Sequence, residues 1–232
     1  MYKRQEYAPI GVFALLAGLI VDLAGDDPNN IITTLTPLLY YALTVIVGLT
    51  FMVFIFYPLI IYVKTGITIK KFLKAIFPAQ MLAFSTSSSA ATLPLTMKRV
   101  EKNLNVSDEV TSFVCPLGAT INMDGTSIHQ AISAVFIAQA FGQDLTLIDQ
   151  VAIVLTATLS SIGAAAVPGA GLIMLVIVLG AIGIDPQGLA LIIAIDRPLD
   201  MLRTVVNVTG DATVASVVAS TEGEKIKYTE DE

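Results

Sequence analysis

The chain alternates between long apolar blocks and short polar turns. Apolar stretches occupy residues 7–23, 31–63, 75–97, 110–141, 151–182 and 189–219. A crossing of the bilayer core takes about 20 apolar residues as a helix, so this pattern predicts membrane helices rather than soluble amphipathic ones. Three blocks are interrupted internally: 75–97 by Ser85-Thr-Ser-Ser-Ser89 and Pro94, 110–141 by Gly118-Ala-Thr-Ile-Asn-Met-Asp-Gly-Thr126, and 151–182 by Ser160-Ser-Ile-Gly-Ala-Ala-Ala-Val-Pro-Gly-Ala-Gly171. The last block carries Asp196, Asp200, Arg203, Asn207 and Asp211, spaced 4, 3, 4 and 4 apart. That spacing is one face of an α-helix. Ionisable groups inside a bilayer cost several kcal/mol each unless they face a partner, a cavity or a ligand, so the stripe predicts a functional surface.

Composition agrees with the pattern. Only 14% of the 232 residues are charged, against about 25% in soluble domains, and mean hydropathy is +0.78. The fold class is therefore an all-α polytopic membrane protein. The net charge of −6 is spread among loops, tail and stripe. No basic patch with interleaved aromatics supports nucleic-acid binding. A single Cys115 excludes an intrachain disulfide framework. The opening residues lack the charged, apolar and cleavage regions of a signal peptide.

Loop charges set a topology, because cytoplasmic loops carry the Lys and Arg excess. Lys3 and Arg4 place the start inside, and Asp26-Asp27 lies outside. Lys64, Lys70, Lys71 and Lys74 lie inside, and so do Lys98, Arg99 and Lys102. The block 75–97 between them must then dip in and return as a re-entrant hairpin. Residues 143–149 and 185–187 carry no Lys or Arg and lie outside, which makes 151–182 a second re-entrant hairpin from the opposite side. Each hairpin is followed by a helix with an Asn-x-x-Gly motif: Asn122-Met-Asp124-Gly-Thr126 and Asn207-Val-Thr-Gly-Asp211. Hairpin plus broken helix, twice and inverted, is the arrangement that places substrate sites at the repeat interface. Either small-residue stretch alone reads as close helix packing; the pair together with the stripe reads as a site. His129, on an apolar face, reads as packing rather than as a ligand.

These motifs resemble those of the glutamate transporter family, the dicarboxylate/amino acid:cation symporters, of prokaryotic type. The resemblance runs from about residue 7 to 222 and rests on Thr86–Pro94, Gly118–Thr126, Ser161–Gly171 and Asp200–Asp211. It implies Na⁺-coupled symport of aspartate or glutamate by alternating access of an elevator type, with no enzyme activity and no catalytic residue. Substrate contacts would come from Arg203 to the side-chain carboxylate, Asp200 to the amino group, Thr126, Thr204 and Asn207, and backbone at Ser89, Val167 and Gly171. One Na⁺ would use Gly118, Asn122, Asn207 and Asp211. A second would use Thr120, Ser161, Ile162 and Ala164, and a third would involve Asn122 and Asp124. Hairpin two would be the outer gate.

The resemblance further implies a homotrimer in the plasma membrane, with the start and tail cytoplasmic. Residues 1–30 would be a scaffold-type helix and outer loop. Residues 31–220 would be the transport domain, with a helix over 31–63, hairpin one over 75–97, a broken helix over 110–141, hairpin two over 151–182 and a substrate helix over 188–220. Residues 221–232 would form a solvated tail. The start resembles the family's fifth helix, so the N-terminal scaffold helices are expected to be missing. Arg203 favours acidic substrates, Asp200 favours amino acids over C4-dicarboxylates, and Asp211 favours Na⁺ over H⁺. Gln130 stands where eukaryotic relatives carry a glutamate tied to proton and potassium countertransport. Ser87 and Met201 occupy positions where family members carry an arginine; Arg197 either replaces it or pairs with Asp196. Proton-coupled glutamate or C4-dicarboxylate symport remains the alternative. An intramembrane hydrolase is the rival of another class, but no Gly-x-Ser-x-Gly elbow is present.

Overall fold

A computed structural model describes residues 29–230, with side chains resolved from Leu35. The expected first segment at 7–23, and most of the scaffold and loop unit at 1–30, lie outside the described residues. Helices make up the elements, and among the described residues there is no strand. The first is one long rod: α1 (Asn29–Phe51), a π-helical turn (Met52–Phe56) and α2 (Tyr57–Thr65). The π-turn inserts one residue and re-phases the rod, so that Tyr41 and Tyr57 both end up buried while Tyr40 and Tyr62 face out. Over Leu35–Thr65 it is, among the described residues, the one helix both long and apolar enough to cross a bilayer by itself.

Two helical hairpins follow the rod. In the first, α3 (Ile69–Thr86) and α4 (Ser89–Leu104) are joined by Ser87 and Ser88. In the second, α7 (Leu147–Ile162) and α8 (Ala170–Ala181) are joined by 163–169. Between them lies a helix broken at Asn122-Met123 into α5 (Asp108–Ile121) and α6 (Asp124–Ala140). A 3₁₀ turn (Pro186–Leu191) then leads into α9 (Ile193–Thr221). The arms of hairpin one run past the expected 75–97 at both ends, because Lys70, Lys71, Lys74, Lys98 and Lys102 continue the apolar helices as exposed polar turns.

The two Asn-x-x-Gly motifs behave differently. Asn122 and Met123 leave helical geometry at φ −105°, ψ 64° and φ −106°, ψ 57°. The second motif breaks nothing: α9 runs as one helix through Asn207 and Gly210. The difference lies in where the backbone groups find partners. The Asn207 side chain is spent across the helix interface, on the Gly125 N–H that the first break leaves free.

α9 is the axis of the molecule. It packs against α1, α2, both arms of hairpin one and both halves of the broken helix. Beside an apolar core that includes Val45, Ile61, Phe72, Ile137 and Leu175, burial also takes in charged and polar groups. Arg203, Asp200, Asp211, His129 and Gln130 are buried, while Phe113, Leu147, Ile148, Leu159 and Ile173 face outward. Exposed apolar surface of this extent marks a protein–protein or membrane surface. The stretch after α9 is largely exposed over 221–230, and its backbone hydrogen-bonds back onto the end of hairpin one. Lys227 N–H donates to Leu104 O, Thr229 N–H donates to Asn103 O, and the Glu224 carboxylate accepts from the N–H and hydroxyl of Ser107.

Candidate functional site

The polar stripe of α9 meets the two hairpin tips and the break between α5 and α6. At tip one, Ser87 ends α3 with φ 52°, a left-handed conformation uncommon for a residue with a side chain. Ser88 caps α4 by accepting from Ala91 N–H, and its hydroxyl donates across to Ala166 O of tip two at 2.8 Å. Ala90 N–H reaches the same carbonyl at 3.3 Å. The two tips therefore share one latch. Tip two reaches α9 through Gly169, whose N–H donates to Asp200 Oδ2 at 3.0 Å. Both α4 and α8 point their positive N-terminal ends at this junction.

Below the tips lies a charged cluster. Arg203 is 1% exposed. Its Nη2 donates to Asp200 Oδ1 at 2.7 Å, and its Nη1 lies 2.6 Å from His129 Nδ1. Asp196 Oδ1 is 3.2 Å from Nη1 but out of line with an N–H, so that contact is an ion pair without a hydrogen bond. Arg197, left between two roles by the sequence, pairs with Asp200 Oδ2 at 3.6 Å. The cluster is close to neutral, as a buried group of charges must be.

Above the cluster is a cavity of about 20 Å³ lined by Ser87, Ser89, Thr126, Gly171, Asp200, Thr204 and Asn207 among others. That is room for about one water, too little for an amino acid. The Ser87 hydroxyl is buried and has no hydrogen-bond partner among the described residues. A larger apolar cleft of about 220 Å³, between Leu49, Phe54, Phe77 and Leu202, carries no charged group and has no chemistry to offer.

Each expected substrate residue has a definite place. Thr126 is buried, and its hydroxyl accepts from Asn207 Nδ2 at 3.3 Å. Thr204 donates to Asp200 O, one turn back on its own helix. Gly171 lies against Arg203: a Cβ there would sit 3.2 Å from Nη1 and 3.0 Å from Thr126. Ser89 is buried at tip one, and Val167 is exposed at tip two.

The expected sodium residues fall into two groups. Asn122 Nδ2 donates to Asp211 Oδ1 at 3.2 Å, and a Cβ on Gly118 would sit 2.5 Å from that oxygen. Gly118, Asn122 and Asp211 thus converge, with Asn207 one turn away on α9. Here the Asp211 carboxylate accepts from the Asn122 amide and Gly118 O accepts from Asn122 N–H; carboxylate, side-chain amide and main-chain carbonyl are the groups that supply oxygen to a hard cation. Asp124 lies close by and accepts from the Tyr57 hydroxyl at 2.5 Å. In the second group, Ser161 is 2.6 Å from the Ser127 hydroxyl and Ala164 is buried, whereas Thr120 and Ile162 face outward.

Two neighbours of the candidate site escaped the sequence reading. Tyr41 and Tyr57 come from the first rod and bond His129 and Asp124. The signal was present: a tyrosine on an apolar helix needs a partner for its hydroxyl when buried.

Comparison with known proteins decides the family. The profile of the sodium:dicarboxylate symporter family matches residues 5–221. The chain belongs to the sodium:dicarboxylate symporter family. An excitatory amino acid transporter of Caenorhabditis elegans is 44% identical over 212 residues, covering 91% of this chain and 41% of that protein. Excitatory amino acid transporter 1 of Mus musculus is 43% identical over 221 residues, 95% of this chain and 40% of that protein. Excitatory amino acid transporter 2 of Mus musculus is 43% identical, with 91% and 36% covered. The chain thus spans well under half the length of these relatives. Membership in a sodium:dicarboxylate symporter family, with a structure that is helical throughout the described residues, bears out the all-α polytopic membrane class.

Proposed function

We propose that this chain forms the substrate-carrying part of a Na⁺-coupled symporter for acidic amino acids, aspartate or glutamate, working by alternating access. The observation that carries the proposal is the buried Asp200–Arg203 pair beneath two hairpin tips. A free acidic amino acid presents an ammonium and a carboxylate. It would exchange the internal pair for two external ones: its ammonium takes Asp200 and its side-chain carboxylate takes the guanidinium, a match suited to Arg. The 20 Å³ cavity must open for that exchange. Gly169, bonded to Asp200, makes hairpin two the element that would move first.

Sodium is cargo in this scheme. The convergence of Gly118, Asn122 and Asp211 supports one ion there, with Asn207 alongside and Asp124 and Asn122 serving another. Backbone at Thr120, Ser161, Ile162 and Ala164 would take a further ion once hairpin two moves. Both hairpins would be re-entrant from opposite sides of a plasma membrane, with the tail cytoplasmic. The names of the excitatory relatives support the substrate class, and the family name supports the ion. A homotrimer is the expected assembly. Titration of the protein with aspartate should give an affinity that rises steeply with Na⁺; a response indifferent to Na⁺ in calorimetry would remove the coupling. Binding of succinate in preference to aspartate would favour the C4-dicarboxylate alternative, and affinity driven by acid rather than Na⁺ the proton-coupled one.

A further inference from the structure

We propose that His129 is a positioning residue that decides which edge of the Arg203 guanidinium is offered to the ligand. The proposal rests on the substrate reading above and adds a group that reading does not use. Arginine only donates, so the 2.6 Å contact between Arg203 Nη1 and His129 Nδ1 requires an unprotonated Nδ1. The imidazole is therefore neutral and carries its proton on Nε2. Nε2–H points to the Tyr41 hydroxyl at 2.9 Å, which in turn lies 2.9 Å from the Ser133 hydroxyl. Tyr41 accepts from His129 and donates to Ser133, and the relay fixes the tautomer. All of it is buried; His129 and Ser133 are 0% exposed.

The relay leaves the guanidinium asymmetric. Nη1, on the Cδ side, is enclosed by His129, by Asp196 and by the face of Gly171. Nη2 and Nε–H share the opposite edge. On that edge Nη2 holds Asp200, and Nε is buried with no hydrogen-bond partner among the described residues. A carboxylate that displaces Asp200 from Nη2 finds Nε–H beside it and binds side-on. Without the His129 acceptor, the guanidinium is free to rotate and present either edge.

The chain contains one histidine, which gives a readout independent of transport. Histidine-selective ¹⁵N labelling of the full chain in detergent should show a neutral ring protonated on Nε2, with Nδ1 hydrogen-bonded. A ring protonated on Nδ1, or doubly protonated, overturns the proposal whether or not aspartate binds. Aspartate titration in saturating Na⁺ is the second arm. H129L, which removes the acceptor, should lose about 10–100-fold in aspartate affinity, the range for a hydrogen bond to a charged group. H129Q, which can return an acceptor oxygen, should stay within about threefold of the unmodified chain. The rise in melting temperature caused by Na⁺ alone should be unchanged in both. Equal aspartate affinity in H129L and the unmodified chain, or equal losses in H129L and H129Q, would refute the role. Should H129L fail to fold, Y41F serves in its place, because it removes the nearest acceptor of the Nε2 proton and leaves only Ser133 Oγ at 3.4 Å and Asp196 Oδ1 at 3.5 Å; an unaltered ring spectrum and affinity in Y41F overturn the proposal. An unmodified chain that shows the Nε2 tautomer yet ignores aspartate would instead defeat the symport reading.

Discussion

The Asp200–Arg203 pair is the residue on which most of the chemistry turns. Removing one member of a buried pair leaves the other uncompensated, which costs more than the pair contributes when intact. Arg203→Ala should therefore cost about 2–5 kcal/mol in aspartate binding while sparing or admitting neutral amino acids; an unchanged affinity by calorimetry would contradict its role. Asp200→Asn should penalise amino acids more than dicarboxylates, and equal losses would count against an ammonium contact. The stripe itself was legible from the sequence because a 4, 3, 4, 4 spacing leaves no other reading inside an apolar block. Its partner His129 was not legible. A single histidine on an apolar helix carries no sign of the residue it faces, and the 74 residues to Arg203 are closed only by tertiary packing.

At the scale of elements, close approach is made by glycine. A Cβ on Gly125 would sit 2.6 Å from Arg203 O and 2.9 Å from the Val206 side chain, so α6 and α9 touch backbone to backbone there. Gly125→Ala should push them apart and, in the range for overpacked cores, cost about 1–3 kcal/mol. It should also weaken the Gly125–Asn207 bond and with it Na⁺-dependent stabilisation, read as a smaller melting-temperature rise on adding Na⁺. The hairpins and the first break could be read from Ser, Gly and Pro clusters interrupting apolar blocks. The continuity of α9 could not, since Asn122-Met-Asp-Gly and Asn207-Val-Thr-Gly look alike as strings. What separates them is that one asparagine sits beside the gap and the other fills it.

For the whole molecule, the docked tail ties the ends of hairpin one and α5 together on one side. Lys74 pairs with Glu230 at 2.5 Å, and that hydrogen bond holds the Glu230 carboxyl below its ordinary value. A lowered carboxylate contributes in full above its ordinary titration range, and tail docking should loosen as pH falls below that range through the lowered value. Both groups are exposed and screened, and the effect should also fade with salt. Faster amide exchange at Lys227 and Thr229 at acid pH and high salt, with the helices unchanged, is the expected signature.

The central position of α9 has a consequence in time. It is the last described helix in the chain, so it emerges from the ribosome after every helix it packs against. Until it arrives, Asn122, Gly125, His129 and Gln80 lack the partners it supplies: Asp211, Asn207, Arg203 and Thr209. Buried polar groups without partners cost about 1–3 kcal/mol each, so the nascent bundle cannot close early. Assembly must wait for α9, and a chain halted at residue 192 should be cleared by proteolysis while one that extends through α9 persists. The residues that would recognise the ligand thus also decide when the helices before α9 can close around it.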